Sequence, residues 1–143
     1  MGVVASLLVL GGGMSSSRAA IAKPPTASNL PQGCSKPPGG YLIVASQYGY
    51  NDSMLNGAGL SQPWPVISVG QNTTVSITVC NADNVEAHGF QISNYYDSEI
   101  VALVPGEVIH VSFTATKVGS FRIYCGIFCA IHPFMNGELQ VTS

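Results

Sequence analysis

From Tyr41 to the C-terminus, short runs of alternating or β-branched residues recur between turn signals, and no segment keeps a helical period over ten residues. The runs are Tyr41 to Gln47, Val66 to Val69, Thr73 to Cys80, His88 to Ser93, Glu107 to Thr116, Ser120 to Cys125 and Gly137 to Thr142. Segments this short bury their apolar faces as sheet on sheet, so an all-β sandwich is predicted over residues 41–143. In the Glu107 to Thr116 run, Ile109, Val111, Phe113 and Ala115 fall on one face, and Val108, His110, Ser112 and Thr114 on the other. His110 is thereby turned away from the core and reads as a solvated strand histidine. A chain of 143 residues fills one such core well and two poorly.

Ahead of the sandwich, residues 23–40 hold five of the nine prolines and no periodic apolar pattern, which reads as an extended tether. Residues 1–22 form an apolar segment interrupted by Ser15, Ser16, Ser17 and Arg18. Its apolar length and small residues suit a secretory signal, but it lacks a basic start. As a membrane anchor it reaches the required ~20 residues only with the Ser/Arg stretch included. An anchor is preferred here, with a cleaved signal or an arm on a partner subunit as alternatives; each sets the folded domain outside the cytoplasm. Two Asn-x-Ser/Thr sequences, at Asn51 and Asn72, agree with export but are too short to carry weight.

Charged residues make up 8% of the chain, against roughly 25% in an ordinary soluble protein. The surface is therefore built from neutral polar groups, a composition suited to an acidic or otherwise harsh exterior. From Gly40 onward Lys117 and Arg122 face seven carboxylates, a net charge of −5. A nucleic-acid partner, which needs a basic footprint, is excluded, and a basic protein partner fits.

The densest chemistry lies between Phe121 and Gly137, where Cys125, Cys129, His132 and Met135 fall within eleven residues at the end of a strand. Thiolate and imidazole donors with a weak thioether select copper over hard cations, and that combination marks electron-transfer copper sites. A second imidazole must come from elsewhere, and His88, at the start of another strand, suits because two strand ends can meet at one pole of a sandwich. Two disulfides would explain the four cysteines but leave His88, His132 and Met135 as coincidences. Zinc would explain the thiolates and imidazoles but gains little from the methionine. For Cys34 and Cys80, outside the cluster, a structural disulfide tying the tether to the domain is expected.

At this loop the sequence resembles the copper domain of cytochrome c oxidase subunit II, with its dinuclear CuA centre, and more distantly the same centre in nitrous-oxide reductase. The likeness is nearest to the ba3-type subunit II and covers about residues 41–141. It rests on Tyr48-Gly49-Tyr50, Ala87-His88-Gly89-Phe90, Val104-Pro105-Gly106-Glu107, Gly119-Ser120-Phe121-Arg122-Ile123-Tyr124-Cys125 and Met135-Asn136-Gly137. The resemblance implies a cupredoxin-like Greek-key β-sandwich holding two copper ions. Cys125 and Cys129 would bridge them, His88 and Met135 would serve one, and His132 with the backbone carbonyl of Ile127 the other.

It further implies an electron-transfer subunit of a membrane-bound terminal oxidase, with the copper domain on the extracytoplasmic side of the cell membrane. Electrons would come from an exported cytochrome or small copper protein and pass to haem in oxidase subunit I. Tyr48, Tyr50 and Trp64 are candidates for an exposed docking patch, with sandwich-edge packing as the alternative.

The sequence departs from the family twice. Only Ala130 and Ile131 separate Cys129 from His132, where the family has three residues, and Cys129 to Met135 looks like the loop of amicyanin, a single-copper carrier. A stand-alone, membrane-anchored blue-copper carrier using His88, Cys129, His132 and Met135 is thus the alternative, and copper storage a weaker third. In cupredoxins the ligand cysteine falls six residues after the glycine that starts the strand. Counted from Gly119 this gives Cys125, which makes Cys129 the additional thiolate of a two-copper site. Ile127 stands where many oxidase subunits carry a glutamate that also reaches magnesium, so a magnesium site is in doubt while a carbonyl ligand is unaffected.

Overall fold

The runs read as strands do pair into sheets in the computed structural model, which describes residues 29–56 and 64–143; the apolar segment 1–22 and the start of the tether lie outside these. In chain order the strands are β1 (Tyr41–Ser46), β2 (Gly49–Tyr50), β3 (Val66–Gly70), β4 (Thr74–Asn81), β5 (His88–Gly89), β6 (Gln91–Ile92), β7 (Ala102–Leu103), β8 (Val108–Thr114), β9 (Gly119–Tyr124) and β10 (Asn136–Thr142). One sheet runs β2-β1-β4-β8, a second β3-β10-β9-β6, and β5 pairs with β7 in a small third. Pairing is antiparallel except for β1 with β4 and β3 with β10. The helical elements include one turn at Ser53–Asn56 and a 3-10 turn at His132–Phe134. No helix among them is long and apolar enough to cross a membrane.

Alternation explains how the two larger sheets pack. Ile43, Val75, Ile77, Val79 and Val111 project from one, Ile67, Ile92, Ile123, Leu139 and Val141 from the other, and together they form one buried cluster. Each such side chain contributes about 1.5–3 kcal/mol on burial. His110 is exposed as expected, its Nδ1 lying 3.1 Å from Thr78 Oγ1. The tether is fixed from the opposite face of β4, where Cys80 is disulfide-bonded to Cys34 with 5.8 Å between their Cα atoms. Gly40 belongs to this seam, because a Cβ there would stand 2.4 Å from the Ser76 carbonyl oxygen.

The structure divides the segment expected as a single strand from His88 to Ser93. His88 and Gly89 pair with Leu103 and Ala102, whereas Gln91 and Ile92 pair with Tyr124 and Ile123 of β9. Phe90 sits fully buried at the switch between sheets. The consequence is positional: Gln91 and Ile92 are committed to β9, and Gly89, the residue before the switch, is brought with its neighbour His88 to the end of β9, where Cys125 follows.

Candidate metal centre

The ligand loop is the connection of the β9–β10 hairpin. Asn136 pairs with Tyr124 and Gly137 with Ile123. The Cys125 N–H then donates to the Met135 carbonyl at 3.3 Å, so the first and last candidate ligands of the loop face each other. Within it the His132 N–H donates to the Cys129 carbonyl at 3.2 Å, and Pro133 follows with a φ already suited to the 3-10 turn. This tight reversal lets two intervening residues do what a longer connection would do, and His132 turns back towards the thiols.

Four sulfur and nitrogen donors converge as a result. Cys125 Sγ and Cys129 Sγ are 3.6 Å apart, and Cys129 Sγ is 3.4 Å from Met135 Sδ. The carbonyl oxygen of Ile127 lies 3.1 Å from Cys125 Sγ and 3.1 Å from His132 Nδ1. The donor atoms of Cys125, Cys129 and His132 all fall within 4.8 Å of one another. Both cysteines and Met135 are buried, and His132 is half-buried. Burial, the neighbouring Cys125 and the charge of Glu86 push the Cys129 thiol up to about 12. A metal that binds there must displace a proton, and uptake is favoured as pH rises.

His88 reaches the same pole by a different route. Its ring is wholly buried, and Nε2 lies 2.9 Å from Asp83 Oδ2. Its Nδ1 has no hydrogen-bond partner among the described residues. A carboxylate at Nε2 fixes the proton there and leaves the lone pair on Nδ1, the arrangement used for metal-ligating histidines. Gly89, the next residue, donates its N–H to Cys125 Sγ at 3.1 Å. A Cβ at Gly89 would stand 2.7 Å from the Gly126 nitrogen and 3.2 Å from that sulfur, so only glycine lets the two segments approach so closely.

Sequence reasoning missed the groups that orient His88. Asp83 Oδ1 accepts the N–H groups of Val85 at 2.8 Å and Glu86 at 3.2 Å, while Asn81 Oδ1 accepts the Asp83 N–H at 2.9 Å. Burial works to raise the Asp83 carboxyl, but the N–H groups of Val85 and Glu86 and the His88 ring outweigh it and hold the group below the ordinary aspartate range. Glu86 accepts the Ala130 N–H at 2.9 Å and so ties this segment to the ligand loop. An aspartate five residues ahead of a candidate ligand was the available signal.

One expectation is corrected. Tyr48 and Tyr50 are buried, the latter with no exposed surface, and cannot belong to an exposed patch. Trp64 is 45% exposed but lies with Phe121, Arg122 and Asn136 beside the β9–β10 strands. The exposed aromatics of the ligand loop are Phe128, at 96%, and Phe134, at 36%.

The chain is 34% identical over 95 residues to nitrous-oxide reductase from Pseudomonas fluorescens, a match covering 64% of this chain and 14% of that enzyme. The chain thus spans a small part of the curated relatives it matches. No family profile matches it. Among solved structures it superposes on the periplasmic domain of subunit II of cytochrome oxidase from Bradyrhizobium japonicum with a TM-score of 0.51 and 22% identity, covering 71% of this chain and 82% of that one. It also superposes on auracyanin from Roseiflexus castenholzii with a TM-score of 0.53 and 16% identity, covering 73% and 97%. The fold is the cupredoxin fold.

The resemblance drawn from the sequence is therefore borne out in fold by the oxidase domain and in sequence by the reductase. Within a cupredoxin, the donors present suit copper: two soft thiols, a thioether, a carbonyl and two imidazoles, of which that of His88 has a buried nitrogen without a partner among the described residues. Asp83 and Glu86 stand behind that set as orienting groups.

Proposed function

We propose that this cupredoxin is the electron-input domain of a haem-copper terminal oxidase and holds two copper ions. Cys125 and Cys129 would hold both, His88 and Met135 would serve one, and His132 with the Ile127 carbonyl the other. The observation that carries this reading is the pair of buried sulfurs 3.6 Å apart with Ile127 O equally close to Cys125 Sγ and His132 Nδ1. A single-copper site built from His88, Cys129, His132 and Met135 would leave Cys125 as an unused buried thiol against Cys129. When bound, copper supplies reversible one-electron chemistry. The chain's residues do the rest. They fix the donors on a hairpin, exclude water from the sulfurs by burial, and hold the His88 ring in one tautomer through Asp83.

In this reading the domain lies on the extracytoplasmic side of the cell membrane, and residues 1–22 anchor it through the tether, whose later part is fastened to the domain at Cys34. It accepts electrons from an exported cytochrome or small copper protein and passes them to haem in oxidase subunit I, where dioxygen is reduced. The test is gentle detergent extraction of the full chain from its native membrane. Co-purification with a haem-bearing subunit is expected; a chain that runs alone with its copper retained would point to a free-standing carrier instead.

A further inference from the structure

The Tyr50 side chain is a buried polar group that the ligand assignment leaves without a role. Its ring packs edge-on to Phe90 with centroids 6.2 Å apart, deep in the core, yet it carries a hydroxyl into that apolar setting. That hydroxyl donates to the Gly89 carbonyl at 2.5 Å. Burial first, and then the sulfurs of Cys125 and Cys129, push its pKa well above the ordinary tyrosine value, so it remains a donor. On its other side Gly89 donates its N–H to Cys125 Sγ at 3.1 Å. Both backbone groups of the residue that follows His88 are thus spent on two partners, one in β2 and one in the ligand loop.

We propose that Tyr50 is a positioning residue that, through Gly89, holds an N–H donor on the Cys125 sulfur and thereby sets the reduction potential of the centre. The proposal rests on the copper reading above. An N–H donated to a thiolate draws electron density from the sulfur and disfavours the oxidised metal, so a firm hydrogen bond raises the potential. Gly89 lies in a two-residue strand, β5, which among the described residues pairs only with the equally short β7. Without the Tyr50 hydroxyl its carbonyl is left unsatisfied in the core, which favours a shift of Gly89 away from its present position.

The test is Tyr50→Phe, which keeps the ring and removes the hydroxyl, with Tyr41→Phe as control because the Tyr41 hydroxyl meets Ser68 O at 3.4 Å, at the end of β1 away from β2. The full chain is loaded with copper, and its visible and EPR spectra are compared with those of the parent. The midpoint potential is then measured, along with hydrogen exchange of the Gly89 amide in the reduced form by NMR. In Tyr50→Phe we expect the copper spectrum to persist, the Gly89 amide to exchange severalfold faster, and the potential to fall. A tenfold change in the reduction equilibrium corresponds to about 59 mV. Tyr41→Phe is expected to match the parent in all three. An intact copper spectrum with unchanged potential and unchanged Gly89 exchange overturns the relay while leaving the copper reading standing. A parent chain that binds no copper overturns the copper reading and the relay with it.

Discussion

At the level of single residues, the arrangement of His88 depends on one carboxylate, that of Asp83. Asp83 receives two backbone N–H groups on Oδ1 and the His88 ring on Oδ2, which leaves Nδ1 as the ring nitrogen without a partner among the described residues. Replacing Asp83 by Asn should weaken copper retention by about 10–100-fold in chelator competition, the usual cost of losing such an orienting partner; unchanged retention would show that His88 is held otherwise. The same carboxylate makes a pH prediction. Its folded pKa is depressed, so its contribution to stability is complete above the unfolded value of about 3.9 and is lost as pH falls below it. Denaturant midpoints of the copper-free chain should drop below about pH 4 and drop less in Asp83→Asn. The candidate donors were legible because soft donors at short spacing are a chemical signal in their own right. Asp83 stood five residues ahead of His88 and was overlooked; the contacts of Gly89 and Tyr50 were not legible, since a hydrogen bond between residues 36 or 39 positions apart leaves no mark on local pattern.

Among the elements, the β9–β10 hairpin and the sheet switch after His88 together build the site. Alternation identified β4, β8, β9 and β10 to within a residue or two, because each keeps one face in a continuous core. It failed for His88 to Ser93, where the pattern is compatible with one strand but the chain changes sheets at Phe90. It also missed β2 and β7, two-residue strands too short to show a period. The tether reads differently: its proline content gave its extended character, and its attachment came from the lone cysteine pair. The Cys34–Cys80 disulfide closes a separation of 46 residues. Replacing both cysteines by serine should cost about 2–4 kcal/mol in denaturant titration. Little change would mean that the Gly40–Ser76 seam holds the tether without it.

For the whole molecule, the ligand pole presents Phe128 and Phe134 on a domain whose residues from Gly40 onward carry two basic groups against seven carboxylates. A basic electron donor should reduce the domain at a rate that falls as salt rises from low to physiological strength, because the Debye length shrinks to about 8 Å; a salt-independent rate would exclude electrostatic steering. A bridged centre requires that Cys125 and Cys129 share their metals. The EPR spectrum of the oxidised, copper-loaded chain decides that point. A seven-line copper hyperfine pattern, lost on Cys129→Ser, is the result expected of one electron spread over two coppers bridged by Cys125 and Cys129. A four-line pattern would mean a single copper and contradict the bridged centre.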